Sequence, residues 1–196
     1  RLIEHPPSRQ RHRAAFRQFS TTIKDVLAYC RTNVATALVN ATRTCWNLAQ
    51  NLDHYIAGAT TEPLVDAARG YPAVCVSAGP SLVKNVQRLA DPAVRANVVV
   101  IAVQTALKPL LDRGIRPDFV TALDYARIST RFYENLPELP DVTLVAEPKA
   151  HPSILDSFPG PVRITRSKFN DKLARDLARP FPAMKEGATV AHLSFY

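Results

Sequence analysis

The sequence is poor in cysteine, and its cysteines do not indicate a disulfide framework or a zinc site. Cys30, Cys45 and Cys75 are an odd number and include no Cys-x-x-Cys pair. Cys75 alternates with two valines in a strand-like run, so we expect it to be a small buried hydrophobic residue. This cysteine usage fits a reducing compartment, and we expect a cytoplasmic protein.

Long apolar runs, a signal peptide and a Walker loop are also missing. No run of about 18 apolar residues occurs, so no membrane span is expected. The arginine-rich start has no apolar core of a signal peptide. There is no initiator Met and the last residues resemble the opening of a helix, so we expect a piece of a longer protein. Without a Gly-Lys pair, any kinase chemistry would need a different phosphate site.

The 196 residues, 46% of them hydrophobic, suffice for one ordinary domain and an extra element. The net charge of +8 is concentrated at the start, where residues 1–31 carry seven basic and two acidic side chains. Residues 1–15 are expected to form a basic flexible arm. Such an arm can touch an acidic surface or nucleic acid, but a solvated linker is the favoured interpretation.

Residues 16–63 are expected to form a helical extension. Apolar residues recur there at three- and four-residue steps, and no Pro or Gly interrupts residues 16–56. One long helix and two helices with a break in the Thr/Asn-rich middle fit equally well. Asn33, Asn40 and Asn47 repeat every seven residues and would share one face. We interpret them as a polar stripe beside the buried one.

Residues 64–196 alternate between strand-like and helical runs. The strand-like runs, rich in Val and Ile, are 73–77, 97–103, 119–123, 142–146 and 162–165. The helical candidates are 81–90, 105–113, 128–135, 152–157 and 170–178. The predicted fold is a Rossmann-like α/β domain, a mainly parallel sheet with helices on both faces, preceded by the helical extension and truncated at its C-terminus.

The first strand runs into a glycine turn that is suited to hold a phosphate. Gly79 can adopt backbone angles closed to other residues and lets a ligand approach the main chain. Pro80 suits the first position of a helix, whose free N–H groups favour an anion. The residues of this corner are Ser77, Ala78, Gly79, Pro80, Ser81 and Leu82.

Polar residues follow the other predicted strands, where ligands bind in open parallel sheets. The Gln104 amide can read the edge of a base or sugar, and Thr105 can cap the next helix. Asp124 follows a buried strand, where a carboxylate is costly unless it meets a partner, a metal or a hydroxyl, so a functional role is favoured. Asp118 after a proline favours a structural turn, and a role for Glu147 is the weaker alternative.

Three ordered motifs resemble the 6-hydroxymethylpterin diphosphokinase-like (MptE-like) domain, which bacterial motility accessory factors share. The resemblance covers about residues 64–196, and a later glycine turn is similar to a glycine-rich segment of the family. The three motifs are Pro72-Ala73-x-x-x-Ser77-Ala78-Gly79-Pro80-Ser81-Leu82, Thr105-Ala106-Leu107-Lys108-x-Leu110-Leu111 with Gly114-Ile115-x-Pro117-Asp118, and Leu123-Asp124; the later glycine turn is Gly187-Ala188-Thr189-Val190-Ala191.

The resemblance implies a nucleotide-binding transferase with the Gly-Pro-Ser corner near the phosphates. The favoured reaction moves a nonulosonic sugar from a CMP-type donor to a protein such as flagellin, with Asp124 as the catalytic candidate. The alternative is pyrophosphoryl transfer from ATP to a hydroxymethylpterin, with Asp124 holding Mg²⁺ and Asp118 as a second candidate ligand. A non-enzymatic interaction module is the third hypothesis. The expected nucleotide contacts are residues 77–82, Gln104, Thr105, Asp118, Gly187, Ala188 and Thr189.

Overall fold

A computed structural model describes residues 5–166, Ala191 and Ser194 of the chain, which divides into two compact units, residues 1–42 and 43–196. Three helices open the chain: α1 (Pro6–Arg11), α2 (Arg13–Gln50) and α3 (Leu52–Ala57). The Thr/Asn-rich middle is therefore helical throughout, and the break comes later, at Asn51. Helix α1 lies within the segment predicted to be the basic arm.

The second unit is built on one sheet of six parallel strands. In spatial order these are β1 (Ala59–Thr60), β6 (Val162–Ile164), β5 (Thr143–Ala146), β4 (Phe119–Ala122), β3 (Val99–Val103) and β2 (Ala73–Val76). The predicted α/β fold with a parallel sheet is confirmed. The two-residue edge strand β1 was not predicted, because the sequence pattern placed it in the helical extension.

One face of the sheet is fully covered by the connecting segments. Strands β2 to β6 are neighbours in chain order, so right-handed connections between them fall on one face. The strand side chains on this face, such as Val100, Val120 and Leu144, have no exposed surface. The described connecting helices are α4 (Leu82–Asn85), α5 (Pro92–Arg95), α6 (Gln104–Leu111) and α7 (Pro152–Ser157).

The other face carries residues 61–71 and Ser194, itself helical, beside a hollow of about 450 Å³. The Ser194 hydroxyl lies 2.7 Å from that of Thr121 in β4. Cys75 points to this less covered face because side chains alternate along β2. The expectation that Cys75 is buried is therefore wrong: the residue is exposed, its Sγ donates to the Ser194 carbonyl at 3.2 Å, and partial burial raises the pKa of its thiol.

The predicted helices are correctly placed but differ in type and length. The run 81–90 divides into α4 and a 3₁₀ helix, Val86–Ala90, and the run 128–135 is a 3₁₀ helix, Arg127–Phe132. A further 3₁₀ turn is Glu62–Leu64. The predicted helix 170–178 lies outside the described residues. Among the described helices, none combines the length and apolar character needed to cross a membrane.

Candidate functional site

The carboxyl ends of the parallel strands share one edge of the sheet, which we call the carboxyl edge. Residues 77–82 follow β2, Gln104 follows β3, and Asp124 lies two residues beyond β4. Since β2, β3 and β4 are adjacent, the fold brings these predicted site residues to neighbouring positions. This edge is where ligands bind in open α/β sheets.

Asp124 accepts three described hydrogen bonds at the carboxyl edge. Gln104 Nε2 donates to its Oδ2, and Ser129 Oγ donates to the same oxygen at 3.1 Å. The backbone carbonyl of Asp124 accepts from the amide of His151 at 3.1 Å. No described residue donates to Oδ1, and the side chain is only half-buried. The carboxylate is thus held by one oxygen and presents the other.

The charge of Asp124 also affects the buried phenol of Tyr133. Burial, and secondarily the charge of Asp124, raise the pKa of Tyr133 above its usual range. Its hydroxyl donates to the Thr121 carbonyl at 3.4 Å, so the ring supports the wall of the site from below rather than taking part in proton transfer at neutral pH.

Gln104 is the first residue of α6 and not a loop residue. It is 3% exposed, and with Nε2 committed to Asp124 its Oε1 is buried without a hydrogen-bond partner among the described residues. Helix α6 has no side-chain cap, and its N-cap residue is Val103. Thr105 was predicted as a possible cap of this helix. It does not cap the helix, because the helix begins one residue earlier, at Gln104. The Gln104 amide fixes Asp124 instead.

The corner of residues 77–82 differs from its predicted geometry. Leu82 N donates to the Gly79 carbonyl at 3.0 Å, closing a turn with Pro80 at its second position, where proline is favoured. Helix α4 begins at Leu82, so Pro80 precedes the helix and is not its first residue. Gly79 does not adopt left-handed backbone angles, and a Cβ there would meet only Ser81 Oγ, at 3.8 Å.

The corner is nevertheless open to a ligand. Residues 77–81 are exposed, and no Cβ occupies the space beside Gly79. Helix α4 has only four residues, so its dipole is small and the anion-binding potential rests on the exposed backbone of the turn. The expectation that glycine is needed there for its backbone angles is wrong; only its lack of a side chain can matter.

Asp118 does not belong to the carboxyl edge. It immediately precedes β4 and lies at the opposite, amino edge of the sheet. One oxygen accepts from Arg95 Nη2 at 2.7 Å, and the other accepts from the backbone amide of Val100 at 2.7 Å. The carboxylate thus ties β3 to β4, as the structural interpretation predicted. The prediction that Asp118 contacts a nucleotide together with Asp124 is not supported by this placement.

Two buried asparagines that the sequence did not single out as site residues hold the loops of the carboxyl edge. Asn47 Nδ2 donates to the carbonyls of Tyr125 and Lys149 at 3.0 and 2.9 Å. Asn51 Nδ2 donates to the carbonyls of Pro148 and Ala150 at 2.7 and 2.8 Å. The loops after β4 and β5 are therefore fixed by side chains that lie 78 to 102 residues earlier in the chain.

The loop after β5 completes the site's charges. Glu147 is nearly buried and pairs with Lys149 at 2.6 Å, so it is committed to an ion pair. Burial, with a smaller contribution from the charge of Arg127, lowers the pKa of His151, whose buried Nδ1 has no hydrogen-bond partner among the described residues. Neither residue contacts the free oxygen of Asp124 in a described hydrogen bond.

No cluster of three or more potential metal-ligating side chains occurs within the described ranges. Asp124 alone could supply one carboxylate ligand to Mg²⁺, which commonly takes one or two carboxylates and completes its shell with phosphates and water. Asp118, at the other edge, cannot share that ion. The predicted contacts Gly187, Ala188 and Thr189 lie outside the described residues.

Comparisons with known proteins agree with the fold. The model of the family described as 6-hydroxymethylpterin diphosphokinase MptE-like matches residues 46–196. The solved structure of the MAf glycosyltransferase from Magnetospirillum magneticum AMB-1 superposes with a TM-score of 0.53 at 22% identity. That match covers 65% of this chain but only 21% of the glycosyltransferase, so the chain spans about a fifth of its length. No match was found among curated proteins.

Proposed function

This chain belongs to the 6-hydroxymethylpterin diphosphokinase MptE-like family, and from this premise we propose that it forms the nucleotide-binding part of a cytoplasmic transferase. The favoured donor is a CMP-activated nonulosonic sugar, and the favoured acceptor is a hydroxyl of a protein such as flagellin. The likeness of fold to a MAf glycosyltransferase supports this choice over other transferases.

The observation that carries the proposal is the held carboxylate of Asp124. Both described hydrogen bonds, from Gln104 and Ser129, go to Oδ2, while Oδ1 remains available at the half-buried carboxyl edge. A fixed acceptor oxygen at this position suits a sugar or ribose hydroxyl. Preorganisation by two donors means that little ordering is left to occur when a substrate binds.

The exposed turn of residues 77–81 is the proposed phosphate site. It follows β2, two strands away from Asp124, and Gly79 leaves room for a phosphate oxygen beside the backbone. Backbone N–H groups placed there would stabilise the charge that develops on the leaving phosphate. Gln104, which follows the intervening strand β3, is proposed to act on the ligand through Asp124, which its buried amide holds.

In the proposed reaction, the bond between the anomeric carbon of the sugar and the phosphate oxygen breaks, and CMP leaves with the electron pair. The oxygen of the acceptor Ser or Thr hydroxyl bonds to that carbon. Its proton passes to Oδ1 of Asp124, which we assign as the general base.

The alternative is pyrophosphoryl transfer from ATP, the activity in the family's description. The same free oxygen of Asp124 fits a single protein ligand to Mg²⁺, whose other ligands would be phosphate oxygens. The two functions predict opposite nucleotide preferences, so a binding measurement separates them.

The test is calorimetric titration of the chain with CMP, with a CMP-sugar, and with ATP plus Mg²⁺. We expect binding of CMP and the CMP-sugar, and a loss of about tenfold or more in affinity for Asp124→Asn, which removes the charge but keeps the shape. Asp141→Asn is the matched control, because Asp141 is an exposed carboxylate paired with Arg116 and follows no strand end of the site.

A preference for ATP with Mg²⁺ would refute the glycosyltransferase assignment in favour of the diphosphokinase. An Asp124→Asn variant that binds the CMP-sugar and turns it over as well as the Asp141→Asn control would remove Asp124 from the site. If no nucleotide binds even at millimolar concentration, the interaction-module hypothesis is the one that survives.

A further inference from the structure

The first compact unit, residues 1–42, presents an apolar stripe to solvent. At about 100° per residue, its members lie within roughly 120° of one face of α2. They extend over about 33 Å, at a rise of roughly 1.5 Å per residue. Leu27 is 60% exposed and Leu38 is 71% exposed, which is unusual for large apolar side chains on one face. The stripe consists of Phe16, Phe19, Ile23, Val26, Leu27, Cys30, Val34 and Leu38.

Basic side chains border the stripe on one side only. Helical geometry places them about 90° around the α2 axis from the centre of the stripe. Their long side chains can therefore reach the surface on which the stripe would lie. Asp25, the one acidic residue in the sequence of α2, lies on nearly the opposite side of the helix. The bordering residues are Arg13, Arg17, Lys24 and Arg31.

A second feature of the same unit, which shares two arginines with this border, also favours phosphate groups. A hollow of about 530 Å³ forms where α1 meets α2, and Arg13 and Arg17 are among its wall residues. Only His12 separates the two helices, and residues of both line the hollow. Guanidinium groups around one hollow are suited to bind phosphate oxygens in pairs.

We propose that residues 6–38 form an interfacial anchor that lies on an anionic phospholipid surface. The apolar stripe would enter the boundary between headgroups and acyl chains, while the basic border and the arginine hollow bind the headgroup phosphates. The one-sided border and the remote Asp25 match a planar anionic surface. A nucleic acid would use the arginines but leave the stripe in water, and so fits less of what is observed.

The test is co-sedimentation of the full chain with vesicles of phosphatidylcholine alone and with a third phosphatidylglycerol. We expect binding only to the second kind, and a fall at high salt because exposed charges are screened. The triple variant R17Q/K24Q/R31Q should bind at least about tenfold more weakly. R69Q/R88Q/R113Q removes the same charge from the second unit and should bind like the native chain.

An apolar variant, L27Q/V34Q, should also lose vesicle binding, while its far-UV circular dichroism remains native because both side chains are already exposed. Equal binding to both kinds of vesicle, or undiminished binding of the charge variant, would overturn the proposal. So would a chain that ignores vesicles but dimerises through the stripe, with L27Q/V34Q monomeric, or one that binds duplex DNA while ignoring vesicles.

Discussion

Replacing Asn51 by alanine should sharply destabilise the second unit. The amide of Asn51 is 1% exposed and donates to two buried carbonyls, those of Pro148 and Ala150, at 2.7 and 2.8 Å. Alanine leaves both acceptors without a donor. At about 1–3 kcal/mol for each of the two unsatisfied buried groups, the free energy of unfolding should fall by about 2–6 kcal/mol. This is a large part of the stability of an ordinary domain, about 5–15 kcal/mol.

The measurement is urea unfolding followed by far-UV circular dichroism. Asn33→Ala is the matched control, since Asn33 is the same residue type and lies in the preceding helix α2, but is exposed. Asn33→Ala should change the free energy of unfolding by less than about 0.5 kcal/mol, because the position is exposed and alanine is a better helix former than asparagine. Asn51→Asp should cost at least as much as alanine, since a carboxylate cannot donate to the two carbonyls.

Asn47→Ala should behave like Asn51→Ala. The loss of unfolding free energy in the double variant should differ from the sum of the two single losses, because both amides hold the same loop after β5. The reasoning would be refuted if Asn51→Ala unfolded at the same urea concentration as Asn33→Ala. It would also fail if Asn51→Asp were as stable as the native chain.

Three other outcomes are expected. His151 has a folded-state pKa below its ordinary value of 6.5, because burial disfavours the imidazolium. Its contribution to stability is therefore present above about pH 6.5 and is lost at lower pH, where the unfolded chain takes up the proton. The urea midpoint of His151→Gln should change less with pH across that range than the midpoint of the native chain. Gly160→Ala should destabilise the folded second unit, because the added Cβ would come within 2.3 Å of the Leu139 carbonyl oxygen. Gly79→Ala should unfold like the native chain and lose only nucleotide affinity. Thermal melts with and without CMP would show both outcomes. Cys75 should react with a thiol reagent in the folded chain, but more slowly near neutral pH than the exposed Cys30, because its pKa is raised; a protected Cys75 would contradict the open face of β2.

The sequence was sufficient to predict the repeated strand-helix units and the edge of the sheet where the site lies. Val- and Ile-rich runs marked five of the six strands, because buried parallel strands are apolar on both faces. The position of Asp124 followed from the same logic, since a carboxylate after such a strand must find a donor. Gln104 and Ser129 are those donors, and the first of them was predicted to lie nearby.

What the sequence could not show depends on contacts between distant residues. Asn47 had the repeat of a surface stripe, yet it is buried because a loop a hundred residues later packs on it. Asp118 and Asp124 both follow apolar residues or a proline in loops, and only the direction of β4 separates them to opposite edges. The backbone angles of Gly79 depend on the turn that Pro80 makes, which composition does not determine.

The pairing of β1 with β6 imposes an order of assembly on the chain. Strands β2 to β6 can join the sheet one after another as they are synthesised, each beside its predecessor. Strand β1 is made first but pairs with Arg163 and Ile164, about a hundred residues later, so closing that loop carries the largest entropy cost in the sheet. Asn47 and Asn51, just before β1, likewise bind carbonyls that are synthesised later, at residues 125 and 148–150. The start of this domain is therefore fastened last, because a ribosome must finish β6 before β1 can pair with it.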